Sequence, residues 1–126
     1  MGYVHHVRIR YGEVDMQQVV FNAHYLAYCD DAADLWFRSL GALLEGGAWD
    51  VMVKKATITW DGGAKVHDDL AIAVSISRWG TTSFDVRFDG TVEGEAVFTA
   101  DLTYVAVRTG TRETVRVPDV FREAAS

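Results

Sequence analysis

Two carboxylates and a helix start stand close together in the first quarter of the chain. Glu13 and Asp15 lie in a polar stretch from Gly12 to Gln18, and His24 falls in what reads as the first turn of a helix beginning near Asn22. A carboxylate in such a loop can attack a carbonyl carbon directly or activate water, and residue type leaves both routes open. The helix start offers unpaired backbone N–H groups and the positive end of the macrodipole, which favour a carbonyl oxygen becoming an oxyanion. Composition alone gives Asp15 a plainer part, as a helix capper or loop acid. Glu13 is as well suited to a solvent-facing strand end as to assisting Asp15. A first-turn histidine such as His24 is more often structural than a proton shuttle.

The order of residues from Arg10 to Leu26 narrows the choice. Glu13, Asp15, Val19, Val20, Phe21, Asn22 and Tyr25, followed by Asp30-Asp31-Ala32-Ala33, resemble the hotdog-fold acyl-CoA thioesterases of the 4-hydroxybenzoyl-CoA thioesterase type. That family has an acid, an Asp two residues on, two valine-like residues, an aromatic residue, then Asn or His and a Tyr or Phe at the head of its central helix. The resemblance implies an acyl-CoA thioester substrate, Asp15 as nucleophile or general base, and the backbone N–H of Asn22 as the donor polarising the thioester carbonyl. It places Gln18, Val20, Phe21, His24 and Tyr25 around the substrate, with Asp30 near the acyl end. The turn Arg78-Trp79-Gly80-Thr81-Thr82-Ser83-Phe84 resembles the corresponding family loop, so Arg78, Thr81, Thr82 and Ser83 are the expected CoA-phosphate contacts, with ordinary surface arginines the competing reading. Hotdog proteins generally pair two sheets edge to edge and build each site from both subunits, which would set Thr59 and Trp60 against the neighbour's Asp15. The clearest departure is Gln18, where many relatives carry a glycine that permits a particular backbone path beside the Asp. Two other functions fit the same resemblance: a silent acyl-thioester binding module, and an enoyl-CoA hydratase or dehydratase using His24 with an acid.

The elements that must position these residues follow from hydrophobic periodicity. Val4 to Arg10 reads as a first strand, with Val7 and Ile9 on one side and Arg8 and Arg10 on the other. The helix from Asn22 toward a stop at Gly41 gathers Tyr25, Leu26, Cys29, Ala32, Ala33, Trp36, Phe37 and Leu40 on one wide arc, and Asp30, Asp31, Asp34 and Arg38 opposite. Strand patterns follow at Val51 to Trp60, Leu70 to Trp79, Ser83 to Val92 and Ala96 to Arg108, with a turn at Val92-Glu93-Gly94-Glu95. Loops too short for helical crossovers make these later strands an antiparallel meander. Pro118 to Ala125 reads as a short terminal helix. So wide an apolar arc needs a sheet wrapped around it. The expectation is an α+β hotdog fold: one domain spanning residues 1–126, a curved antiparallel sheet of about five strands around one long central helix.

Charge and composition bound the partners. Among 126 residues, 18 acids against 12 Lys and Arg give a net charge of −6, which argues against nucleic acid. No apolar run approaches the roughly 18 residues of a membrane span, and the start lacks the apolar core of a signal peptide, so the expected location is cytoplasmic. The single Cys29 has no disulfide partner and sits on the apolar arc as a core residue. His5, His6 and His67 lack ligand-like spacing, so neither metal nor cofactor is expected. Exposed sheet edges predict a homodimer or a dimer of dimers.

Overall fold

The computed structural model describes residues 2–40 and 48–126. Its elements are β1 (Tyr3–Arg8), a 3-10 turn (Tyr11–Glu13), α1 (Asn22–Ser39), β2 (Trp49–Trp60), β3 (Asp69–Trp79), β4 (Ser83–Val92), β5 (Glu95–Arg108) and α2 (Asp119–Ala125). The five strands form one antiparallel sheet in the order β1-β3-β4-β5-β2, with α1 as its long helix. This is the hotdog architecture. The stop expected at Gly41 lies outside the described residues; the Leu40 N–H closes the last turn on the Trp36 and Phe37 carbonyls.

The meander expected for the last four strands holds only for β3, β4 and β5. Glu93 and Gly94, both with positive φ, turn β4 directly into β5. β2 instead pairs with β5, Trp60 opposite Phe98, and β1 takes the place beside β3. The reason lies in residues 61–68, which bind other parts of the chain rather than closing a hairpin. The Val20 N–H donates to the Ala64 carbonyl (2.9 Å), the His67 N–H to the Ile9 carbonyl (2.8 Å), and the Ile9 N–H to the Asp68 carbonyl (2.9 Å).

The helix buries Tyr25, Tyr28, Cys29, Ala32, Ala33, Trp36 and Phe37, close to the i, i+3, i+4, i+7 spacing expected. Leu26 shares that arc by angle with Ala33 and Phe37 yet is 41% exposed. Around the far end of the helix, Phe37, Phe84, Tyr104 and Phe121 pack edge to face and stacked at centroid distances of 5.2–5.9 Å. Burying Phe37 there contributes roughly 1.5–3 kcal/mol. Trp36 and Phe84 belong to this buried far end. Cys29 is also fully buried, and desolvation pushes its thiol up to about 12.

Candidate active site

Asp15 stands in a small hairpin whose arms pair at Val14 and Val20. The Asp15 N–H donates to the Val19 carbonyl (3.0 Å), and the Gln18 N–H donates back to the Asp15 carbonyl (2.9 Å). The Gln17 N–H donates to Asp15 Oδ1 (2.8 Å), an Asx turn that fixes the side chain. Oδ2 carries no bond among the described residues. This is a type I turn closed by a bulge, and the bulge position needs a left-handed backbone. Gln18 occupies it with φ +66°. The path a glycine would permit is therefore kept, with glutamine carrying its cost.

Two other segments brace the hairpin. The Phe21 N–H donates to the Glu13 carbonyl (3.0 Å), tying the helix entry to the 3-10 turn. The Ala64 N–H donates to the Tyr25 hydroxyl (3.2 Å), and a Cβ on Gly63 would stand 2.8 Å from Val19 Cγ1, so residues 63 and 64 lie directly against the hairpin's second arm. Glu13 is engaged away from Asp15: its two oxygens accept from the Arg10 N–H (2.8 Å) and guanidinium (3.0 Å). Partial burial pushes the Glu13 carboxyl up, but these bonds outweigh it and hold it below the usual range. The buried Tyr28 hydroxyl faces the Glu13 carboxylate without a bond of ordinary geometry, and desolvation raises it.

The helix begins with Phe21 as N-cap and no side-chain cap, so Asp15 does not cap it. The His24 N–H donates to the Phe21 carbonyl (2.9 Å), while the N–H of Asn22 has no partner among the described residues. That N–H sits at the positive helix end, free to receive an oxygen. The His24 ring packs edge-on against Phe21 at 6.0 Å and has no acid or hydrogen-bond partner among the described residues.

Asp15 opens onto a cavity of about 910 Å³. Tyr11, Val14, Met16 and Val66 give it apolar walls, Gln18 lies on its rim, and Lys65 supplies a cation. Lys65, Val66 and Tyr11 escape a motif-based reading. Lys65 arrives from 50 residues away through the Ala64 and Asp68 hydrogen bonds, which no local pattern announces.

The other expected site residues are distributed differently. Val20 and Tyr25 are buried beneath the hairpin; Phe21 and Asn22 are exposed beside it. Trp60, 41% exposed, packs on Tyr25 at 6.1 Å, and Thr59 precedes it on β2, whose outer edge pairs with no strand among the described residues. Asp30 accepts from the Tyr104 hydroxyl (3.1 Å) and lines a separate cavity of about 270 Å³. The Arg78–Ser83 turn is not brought to Asp15 within one chain. It lies past the far end of β3, roughly 30 Å away at about 3.3 Å per residue. Arg78 there is held by Asp85 (2.8 Å) and Ser83 (3.1 Å), and its guanidinium keeps the Asp85 carboxyl below the usual range. The Thr81 and Thr82 carbonyls accept from Val117 and Ala106, and Arg122 grips the Gly80 carbonyl.

A family model described as the thioesterase-like superfamily matches residues 9–125. The chain belongs to the thioesterase-like superfamily. Solved structures of similar fold include a 4-hydroxybenzoyl-CoA thioesterase in complex with 4-hydroxybenzoyl-CoA, with TM-score 0.89 and 19% identity over 99% of each chain. A gentisyl-coenzyme A thioesterase matches with TM-score 0.88 and 20% identity, over 98% of this chain and 100% of that one. A putative thioesterase from Pseudomonas aeruginosa is 25% identical with TM-score 0.88, over 98% of this chain and 97% of that one. A comparison with curated proteins gives no match. The fold and superfamily expected from the Asp15 segment agree with these findings. Among the described residues of this superfamily member, no helix is long and apolar enough to cross a membrane.

Proposed function

We propose that this member of the superfamily hydrolyses acyl-CoA thioesters, with Asp15 as the catalytic carboxylate and the Asn22 N–H as the donor to the thioester oxygen. The observation that carries the reading is the half-buried Asp15 at the mouth of an open, apolar-walled cavity, with one oxygen fixed by the Gln17 N–H and the other free. In the direct route, Oδ2 bonds to the thioester carbon, the C–S bond breaks, and its electron pair leaves on the CoA thiolate. Water then hydrolyses the mixed anhydride and restores Asp15. In the alternative, Asp15 takes the proton of an attacking water and returns it to the departing sulfur. Either way, negative charge grows on the carbonyl oxygen, where the Asn22 N–H and the helix end lower its energy.

The reading includes a homodimer, supported by the open edge of β2 and the exposed Met52, Val53 and Trp60 on it. Pairing there would add a neighbour's Thr59 and Trp60 to the site. The Arg78 turn would meet the CoA phosphates only from another copy of the chain.

Asp15→Asn tests the proposal. Asparagine keeps the oxygen that accepts from the Gln17 N–H, so the turn survives while the charge is removed. Thiol release from an acyl-CoA shown to be a good substrate should fall about 10²- to 10⁴-fold, with circular dichroism unchanged. Wild-type turnover by that variant refutes the assignment. Binding of acyl-CoA by the wild-type protein without any thiol release would instead favour the silent binding module.

A further inference from the structure

Lys65 and Asp15 line one cavity, carry opposite charge, and form no ion pair with each other or with any other described residue. Lys54 and Arg112 are likewise outside any ion pair among the described residues, and what sets Lys65 apart is its place in the lining of the Asp15 cavity. Arg10, Arg38, Arg78, Arg87, Arg108 and Arg116 each pair with an acid. The nearest candidate to neutralise Lys65 in sequence is already committed: Asp68 Oδ2 accepts from the Lys65 backbone N–H at 2.8 Å, and the Asp68 N–H donates to the Lys65 carbonyl at 3.0 Å. His67 completes this turn in the left-handed region, φ +73°, with its own N–H on the Ile9 carbonyl. Residues 64 to 68 are thus bonded at both ends, to the Asp15 hairpin through Ala64 and to the chain after β1 through Ile9. The backbone of Lys65 is fixed, and its ammonium is left for something that enters the cavity.

We propose that Lys65 is the anion anchor of this site, binding an anionic oxygen group of the thioester ligand while Asp15 acts on the thioester carbon. The proposal rests on the acyl-CoA reading above and deepens it. Two parts of such a ligand carry the required chemistry: the phosphates of CoA, or a carboxylate borne by the acyl group. A lysine beside a catalytic carboxylate contributes by attracting and holding the anion, so its effect falls on binding rather than on the bond-breaking step.

Lys65→Met and Lys65→Arg, made at an exposed position, keep the fold and separate the outcomes when each is assayed with four substrates: a neutral acyl group and a carboxylated acyl group, each on CoA and on phosphate-free pantetheine. The methionine variant should raise KM about tenfold with kcat nearly unchanged, the arginine variant should restore it, and the wild-type KM should rise with salt more steeply than the variant's. A loss confined to both CoA thioesters assigns the anchor to phosphate; a loss confined to both carboxylated acyl groups assigns it to the acyl end. Equal loss on all four substrates, or none, overturns the proposal. If the wild-type protein releases no thiol from any substrate, the thioesterase reading fails on its own. Calorimetric binding of free CoA and of the carboxylated acyl-CoA to wild type and Lys65→Met still tests Lys65, because a tenfold difference in Kd for either ligand supports the anchor and equal Kd for both removes it.

Discussion

Gln18 holds the left-handed position that closes the Asp15 hairpin, and its backbone there has a measurable consequence. An L-residue in the left-handed region costs roughly 1–2 kcal/mol relative to the right-handed one, and Gln18 sits there at φ +66°. Glycine removes that cost but adds back about 0.5–1 kcal/mol through the greater freedom of its unfolded chain. Gln18→Gly should therefore stabilise the protein by about 0.5 kcal/mol, a rise in Tm of roughly 2 °C for a domain of this size. Gln18→Asn should do as well, since asparagine tolerates the left-handed region without the glycine entropy. Gln18→Val, with a β-branched side chain, should lose about 1 kcal/mol or more. Urea unfolding followed by tryptophan fluorescence at one fixed protein concentration orders the series Asn and Gly above Gln above Val. A valine variant as stable as the glycine variant, or a glycine variant less stable than wild type by 0.5 kcal/mol, would refute the claim that the turn stores backbone strain.

Glu13→Gln should cost about 1 kcal/mol at neutral pH, because it removes the charge that Arg10 binds through its N–H and guanidinium. The folded Glu13 carboxyl lies below its unfolded value, so its contribution is complete above the unfolded pKa and disappears as pH falls through the lower folded one; unfolding measured from pH 7 downward should show the gap between variant and wild type closing in acid. Gly63→Ala sets a methyl 2.8 Å from Val19 Cγ1 and must shift the arm whose carbonyl holds the Asp15 N–H, so kcat for thiol release should fall several-fold while far-ultraviolet circular dichroism stays the same.

The local parts of the fold were legible because they depend on periodicity and turn chemistry. The helix from Asn22, the Glu93–Gly94 hairpin and the strand at Ser83 to Val92 follow patterns carried within a few residues. The place of β2 was not, since nothing in Val51 to Trp60 distinguishes an edge beside β5 from one beside β3; the hydrogen bonds of residues 64–68 to Val20 and Ile9 decide it. In the site, Asp15 and Asn22 were legible through their shared motif, whereas Lys65 belongs to a glycine-rich turn, Gly62-Gly63-Ala64-Lys65, whose one usable signal is a lone cation between Asp61 and Asp68. The Arg78 turn shows the converse: a matching stretch of sequence does not say which end of the sheet it occupies.

The uneven packing of the aromatic residues also gives this protein an internal pair of spectroscopic reporters. Trp36, Trp49 and Trp79 are wholly or partly buried toward the C-terminal end of α1, whereas Trp60 stands partly in solvent beside Tyr25 at the other end. A collisional quencher such as iodide samples Trp60 first, so the quenchable fraction of emission follows the site end of the molecule while the protected fraction follows its core. Association along β2 would shield that indole, and dilution would return it to the quencher, letting one unlabelled sample report assembly and unfolding on separate channels.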